Sequence, residues 1–353
     1  MYERFKKSKT WLRGGAAVCL SAMLVFPVLT GPVKAAAPED SLSTARELIP
    51  VGHTVGIKLF SRGVVVVNLA DKTSPAKKCG MKCGDVITML NGAAVTSTEQ
   101  FQRSLQKTEG DAVELQVRRE DSTKTLTVTP EKNEAGVYVI GAWIRDSMAG
   151  IGTMTFYDPK TGVFGALGHG INDTDTAQLM PFSSGSILPS TVKAIKKGEI
   201  GAAGELRGDF DLTTELGELY ANTSGGIFGT TEGTTLSEGT AIPVAENAEV
   251  KTGKATILCN VEGDKVREYQ VEITRLYANA GDLRDLLITV TDPNLIAATG
   301  GIVQGMSGAP ILQNGKIVGA VTHVLLNDPT RGYGILIRNM LHAADNNIEE
   351  NVS

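Results

Sequence analysis

A mainly β chain is expected from three features of the 353-residue sequence: short apolar runs alternating with polar residues, 40 glycines that punctuate them, and turn pairs such as Asn91-Gly92, Asp158-Pro159 and Asn314-Gly315. Helical periodicity is scarce. It is confined to a short segment after Ser74, a stretch near Thr98 to Lys107 and a closing segment from Ile337 to Asn346. The length favours two domains, and a hydrophobic content of 42% supplies their cores. A net charge of -5 and the absence of a basic stripe with interleaved aromatics exclude nucleic acid as a partner.

At the N-terminus, Arg4, Lys6, Lys7, Lys9 and Arg13 precede an uncharged run from Gly14 to Val33. Positive charge before an apolar core keeps that end in the cytoplasm, so the rest of the chain is expected to be exported. Residues 1–37 read as a signal peptide or membrane anchor. Ala35-Ala36-Ala37 fits a small-residue cleavage site, Pro38 opposes cleavage there, and the run is long enough to span a bilayer. Removal of a transient anchor by later processing satisfies both features. Residues 38–50 are polar and acidic, a linker.

Residues 51–132 form a small β unit. Gly63 to Asn68 reads as a strand, Ser74 to Ile87 as a short helix entering a strand, then Leu90-Asn91-Gly92, a helix, and alternating strands over Ala112 to Arg118 and Thr123 to Thr129. Gly84-Asp85-Val86-Ile87 followed by Asn91-Gly92 resembles a PDZ domain. The resemblance implies a peptide added as an extra strand at a sheet edge, with Val55, Gly56 and Ile57 in the loop that holds it.

Residues 133–353 continue as short glycine-rich strands, among them Tyr138 to Ile144, Gly150 to Tyr157, Val163 to Leu167, Ala255 to Asn260, Glu268 to Tyr277 and Asp285 to Val290. Periodicity alone supports an all-β domain. Of the cysteines, Cys19 lies in the export segment, Cys259 in a strand, and Cys79 and Cys83 are the one locally plausible disulfide pair. Their spacing makes that geometry marginal, so free thiols or a labile bridge are expected. No metal-ligand pattern is present.

The chemistry concentrates in Gly305-Met306-Ser307-Gly308-Ala309-Pro310, followed by an apolar strand, the Asn314-Gly315 turn and a second strand. Gly305 and Gly308 allow a tight turn that aims backbone N–H groups at a developing oxyanion beside the Ser307 hydroxyl. The oxyanion donors expected are the N–H groups of Gly305 and Ser307. A serine needs a base, and the chain has 4 histidines. His169 ends the apolar run Val163 to Leu167 between Gly168 and Gly170. His323 follows the strand after Ser307 and is expected to line the cleft, whereas His53 and His342 sit in a loop and a terminal helix. Gly305 to Ala309 also nearly matches the G-x-S-x-G nucleophile elbow. That fold wants Asp and His downstream and a helix after the serine, and a hairpin follows here.

Phe164-Gly165-Ala166-Leu167-Gly168-His169-Gly170 together with Gly305-Met306-Ser307-Gly308-Ala309-Pro310, behind a PDZ-like unit and an export segment, resembles the stage IV sporulation protein B family of signalling serine peptidases. The resemblance covers nearly the whole chain. It implies a trypsin-like double β barrel with Ser307 as nucleophile, His169 as general base and Asp292 as third triad member, and no cofactor. Asp173, Asp175, Asp209 and Asp211 remain alternatives for the carboxylate. It further implies self-cleavage near the N-terminus, release into the space between mother-cell and forespore membranes, and cutting of the extracytoplasmic part of a membrane regulator. That cut would free an intramembrane metalloprotease to activate a mother-cell sigma factor. The competing reading is a membrane-tethered PDZ scaffold without catalysis, against which the intact Ser307 and His169 speak.

Overall fold

The computed structural model describes residues 46–352, apart from 212, 233–237, 278–280 and 282; the export segment and most of the linker lie outside the described residues. Among the described residues no helix is long and apolar enough to cross a membrane. In chain order come β1 (Glu47–Pro50), β2 (Thr54–Leu69), α1 (Pro75–Lys78), β3 (Val86–Leu90), β4 (Ala93–Ala94), α2 (Thr98–Gln106), β5 (Val113–Arg119), β6 (Ser122–Val128), β7 (Glu131–Lys132), β8 (Tyr138–Val139) and β9 (Ala142–Tyr157). There follow β10 (Val163–Ala166), β11 (Phe182–Lys196), β12 (Glu205–Phe210), β13 (Gly217–Thr223), β14 (Gly226–Thr230), β15 (Ile242–Pro243), β16 (Gly253–Cys259) and β17 (Arg267–Leu276). The chain closes with β18 (Leu286–Val290), α3 (Pro293–Thr299), β19 (Pro310–Gln313), β20 (Lys316–Leu325), β21 (Asp328–Leu336) and α4 (Ile337–Val352).

Two barrels result. The second closes in the order β16-β17-β18-β21-β20-β19. Its strands alternate as a barrel requires: in β17, Tyr269, Val271 and Ile273 point inward while Glu268, Gln270 and Glu272 face out. The first closes because β9 pairs with β10, β10 with β14, β14 with β13, β13 with β11, β11 with β2, and β2 again with β9. A double β barrel is therefore the fold, as the sequence reading expected. Helix α4 lays Met340, Leu341 and Ala344 over Phe156 and Phe228 and so seals the first barrel. It runs past the expected end at Asn346 because no glycine or proline interrupts residues 347–352.

The PDZ sheet is not a separate bead on the chain. β2 and β9 each continue out of the first barrel and into that sheet, where β2 pairs with β3, β3 with β5, and β5 with β6. Phe101 and Leu105 of α2 cover Val64, Val66, Ile87, Leu115 and Val117, the core of this half. Two strands that pair from Thr54 to Leu69 thus serve both parts.

That continuity overturns the placing of Val55, Gly56 and Ile57 in a peptide-holding loop. All three lie inside β2, paired on one edge with Gly152, Ile151 and Gly150 and on the other with Pro189, Leu188 and Ile187. With both edges used, no N–H remains for a ligand. Gly56 is small for a packing reason: a Cβ there would lie 2.6 Å from Cβ of Phe210. Cys79, Cys83 and Cys259 are free thiols.

Asp85, in the signature Gly84-Asp85-Val86-Ile87, has no exposed surface and accepts two hydrogen bonds of 2.6 Å from Arg119 and one of 2.9 Å from the Lys82 N–H. Asp85→Ala strands a half-buried guanidinium and is expected to lower stability by about 3 kcal/mol, seen as a lower urea midpoint. An unchanged midpoint would show that the pair is not structural.

Candidate active site

Ser307 is held by the opposite barrel. Its backbone C=O accepts a 2.9 Å hydrogen bond from the N–H of Thr153 on β9, and the Thr153 hydroxyl donates at 2.7 Å to the C=O of Gly305. Thr153 is wholly buried. Gly308 lies so close beneath it that a Cβ would fall 1.9 Å from the Thr153 oxygen, and its φ of +97° belongs to glycine. The Gly308 N–H donates to Val321 at 2.7 Å. The N–H groups of Gly305 and Ser307 meet no backbone acceptor among the described residues. The expected oxyanion donors are therefore open.

His169 stands where β10 ends. Leu167 and Gly168 turn through positive φ of 69° and 68°. Gly168 approaches Ile335 and Thr322 of the second barrel to within 3.0 Å of its would-be Cβ, and Gly170 sits under Leu179 and Thr223. The glycines flanking the histidine thus serve close backbone approach. Asn222 holds the next residue: its side chain accepts from Ile171 N–H at 2.8 Å and donates to Ile171 C=O at 3.1 Å and Met180 C=O at 3.0 Å.

The His169 Nδ1 lies 2.8 Å from the C=O of Gly170. A carbonyl only accepts, so Nδ1 carries the proton and Nε2 is left with its lone pair. Burial holds the His169 pKa below the ordinary 6.5, partly offset by that hydrogen bond. The ring of His323 lies 5.0 Å away, tilted by 39°. Ser307 and His169 line one cavity of about 540 Å³ between the barrels. His323 shares it, as expected, and among its lining residues there is no Asp, Glu, Lys or Arg. The Ser307 hydroxyl itself donates to the C=O of Thr322 at 2.8 Å.

Asp292 is not in that cavity. It caps α3, accepting from the N–H groups of Asn294 at 2.9 Å and Leu295 at 3.2 Å, and its other oxygen accepts from Gln270 at 3.3 Å. An Asp-Pro pair opening a helix explains the placement. The alternatives fare no better as partners of His169. Asp173 and Asp175 both pair with Arg145 of β9, Asp209 lies exposed on β12, and Asp211 binds Thr213 and Thr214. The group that orients the imidazole is the Gly170 carbonyl. Sequence reasoning missed it, along with Thr153, Thr322 and Asn222, because backbone groups carry no letter and a buried Thr or Asn reads like any other.

A family model for the SpoIVB peptidase S55 matches residues 136–341, and one for the PDZ domain matches residues 43–129. The chain is 35% identical over 68 residues to a Clostridium perfringens protein described as a zinc metalloprotease candidate, covering 19% of this chain and 20% of the relative. It is 41% identical over 70 residues to the serine protease Do-like HtrB of Bacillus subtilis, covering 19% of this chain and 15% of the relative. The chain thus spans a fifth or less of the length of these curated relatives. Among solved structures, a Mycobacterium tuberculosis protease in its active form is similar at 15% identity with a TM-score of 0.31, over 55% of this chain and 72% of that one.

Two outcomes follow from the geometry. Asp292→Asn keeps an acceptor for the helix cap, so cleavage rates should stay within about twofold of wild type, against about 10⁴-fold loss for a triad aspartate; Asp292→Ala should instead cost about 1 kcal/mol in unfolding free energy. Because burial disfavours imidazolium, neutral His169 persists into acid. The kcat/KM profile should fall only as pH drops through an inflection below the 6.5 of an ordinary histidine. An inflection at or above that value would remove His169 as the titrating base.

With more than half of its length matched by the peptidase model, this chain belongs to the SpoIVB peptidase S55 family of serine peptidases and carries a PDZ domain.

Proposed function

We propose that Ser307 is the nucleophile and His169 the general base of an endopeptidase that works outside the cytoplasmic membrane. The observation that carries this is the meeting of both side chains in one uncharged cavity between two barrels, beside the open N–H groups of Gly305 and Ser307. For the reaction the Ser307 hydroxyl exchanges the Thr322 carbonyl for Nε2 of His169. Oγ then attacks the peptide carbonyl while Nε2 takes its proton. The oxyanion gathers the two N–H groups, each worth on the order of 3 kcal/mol at the transition state. His169 returns the proton to the leaving amine, and water resolves the acyl-enzyme by the same route. The Gly170 carbonyl keeps Nδ1 protonated throughout. A cleft without charged walls favours uncharged side chains around the cut bond.

Family membership supports a finer reading. The enzyme is exported by its basic-then-apolar N-terminus, frees itself by self-cleavage, and cuts the extracytoplasmic part of a membrane regulator during sporulation, so that an intramembrane metalloprotease activates a mother-cell sigma factor. The PDZ domain takes a peptide ligand. One observation favours the alternative of a binding scaffold: the Ser307 hydroxyl rests on Thr322 rather than on His169.

Intact mass followed over time separates the two. A chain beginning at Ala36 should shorten, while Ser307→Ala and His169→Ala stay whole. If all three shorten alike, or if wild type neither shortens nor cuts an unfolded protein such as β-casein, the scaffold reading replaces the peptidase one.

A further inference from the structure

Strand β9 belongs to the PDZ sheet at its start and to the first barrel at its end, and over most of its length only one edge is paired. β2 takes that edge from Ala142 to Thr153. The opposite edge is covered by β10 only at Met154, Phe156 and Tyr157. Thr153 shows which groups point outward, since its N–H donates to Ser307 and its C=O accepts from Leu167 at 3.1 Å. By the alternation of a strand, Ile151, Ala149 and Ser147 direct their N–H and C=O groups to the same side. No backbone group of the described residues outside the paired strands meets them.

This row of unmet groups begins where the nucleophile loop ends. Its first position, Thr153, is filled by the carbonyl of Ser307 itself. The next stretch, Met148 to Ile151, forms a wall of the catalytic cavity, and Ala149 and Gly150 are exposed there. A Cβ on Gly150 would meet nothing within 4 Å, so the face of the strand at this point is open as well. Farther back, Asp146 accepts from the N–H and hydroxyl of Thr98 at the start of α2, and Trp143 stands 57% exposed. From Ile151 to Trp143 the edge extends about 27 Å at about 3.3 Å per residue.

We propose that β9 is a recognition strand shared by the PDZ sheet and the catalytic cleft, and that its occupant is the extended segment of the substrate on the C-terminal side of the cut bond. Continuity with the cleft selects this occupant, because a chain seated on the edge passes Ser307 without a turn. Antiparallel pairing is what β9 makes with β1, β2 and β10 alike. A peptide paired antiparallel runs from Ile151 toward Trp143, so residues following the cut lie on β9 and those farthest from it reach the PDZ half. One strand then couples what the PDZ domain holds to where Ser307 cuts.

The inference rests on the peptidase reading, and its test keeps the two apart. After locating a bond in β-casein that wild type cuts and Ser307→Ala does not, peptides spanning that bond are compared with two, five or eight residues beyond it. The expected result is a rise in kcat/KM of about tenfold from shortest to longest. N-methylation of alternate amides beyond the cut should undo it. With the longest peptide, Ser307→Ala should show slowed hydrogen exchange over residues 143–151. Cleavage that ignores downstream length, with exchange unchanged over those residues, overturns the shared strand alone. Slowed exchange there without peptide that depends on protein concentration marks a second copy as the occupant and also overturns it. No Ser307-dependent cleavage of β-casein removes the peptidase reading and this inference with it.

Discussion

The contact between the two barrels beside Ser307 depends on one buried residue of β9. Thr153 uses its N–H on the carbonyl of Ser307 and its hydroxyl on the carbonyl of Gly305, and so attaches the loop carrying Ser307 to a strand of the first barrel. Both bonds are buried, where an unmet polar group costs about 1–3 kcal/mol, so neither barrel can shift without losing them. Gly308 permits the approach and no larger residue would. Because His169 is carried by the first barrel and Ser307 by the second, this contact ties the strand that leads toward one to the loop that carries the other.

The same strand extends the constraint to the PDZ half. A PDZ domain joined by a flexible linker would move independently of the barrels. Here β2 and β9 pass from one part into the other, paired from Thr54 to Phe60 in the barrel and again from Val65 to Leu69 in the PDZ sheet, with register shifts between Phe60 and Val65 and between Val66 and Asn68. Arg145 adds a lateral tie, pairing from β9 with Asp173 and Asp175 in the loop that follows His169. Both halves of the histidine's surroundings, the loop and the strand, are thereby referred to β9.

The site also shows how a backbone group can take a role commonly filled by a carboxylate. An imidazole needs a fixed tautomer, and any acceptor at Nδ1 supplies it. The Gly170 carbonyl does so without charge, which suits a cavity that has no charged lining and a histidine whose burial already favours the neutral form. A carboxylate would stabilise a charged imidazolium more strongly than a carbonyl does, so under the proposed mechanism this arrangement trades some of that stabilisation for an uncharged cleft.

The β-rich class, the serine and histidine motifs and the PDZ signature were legible in the sequence because each is a local pattern: period-two burial, glycine at strained turns, Asn-Gly between strands. Asp292 was misassigned for the complementary reason. An aspartate before a proline carries the same letters whether it orients a histidine or caps a helix, and its hydrogen bonds decide between them. Val55, Gly56 and Ile57 likewise read as a loop until β9 and β11 were seen on either side. By itself the sequence determined the mainly β class and the motifs that mark the PDZ and peptidase parts. Tertiary structure alone decided that β2 and β9 serve two parts at once and that Thr153 clamps the loop carrying Ser307, since strand partners and backbone acceptors are chosen by residues distant along the chain.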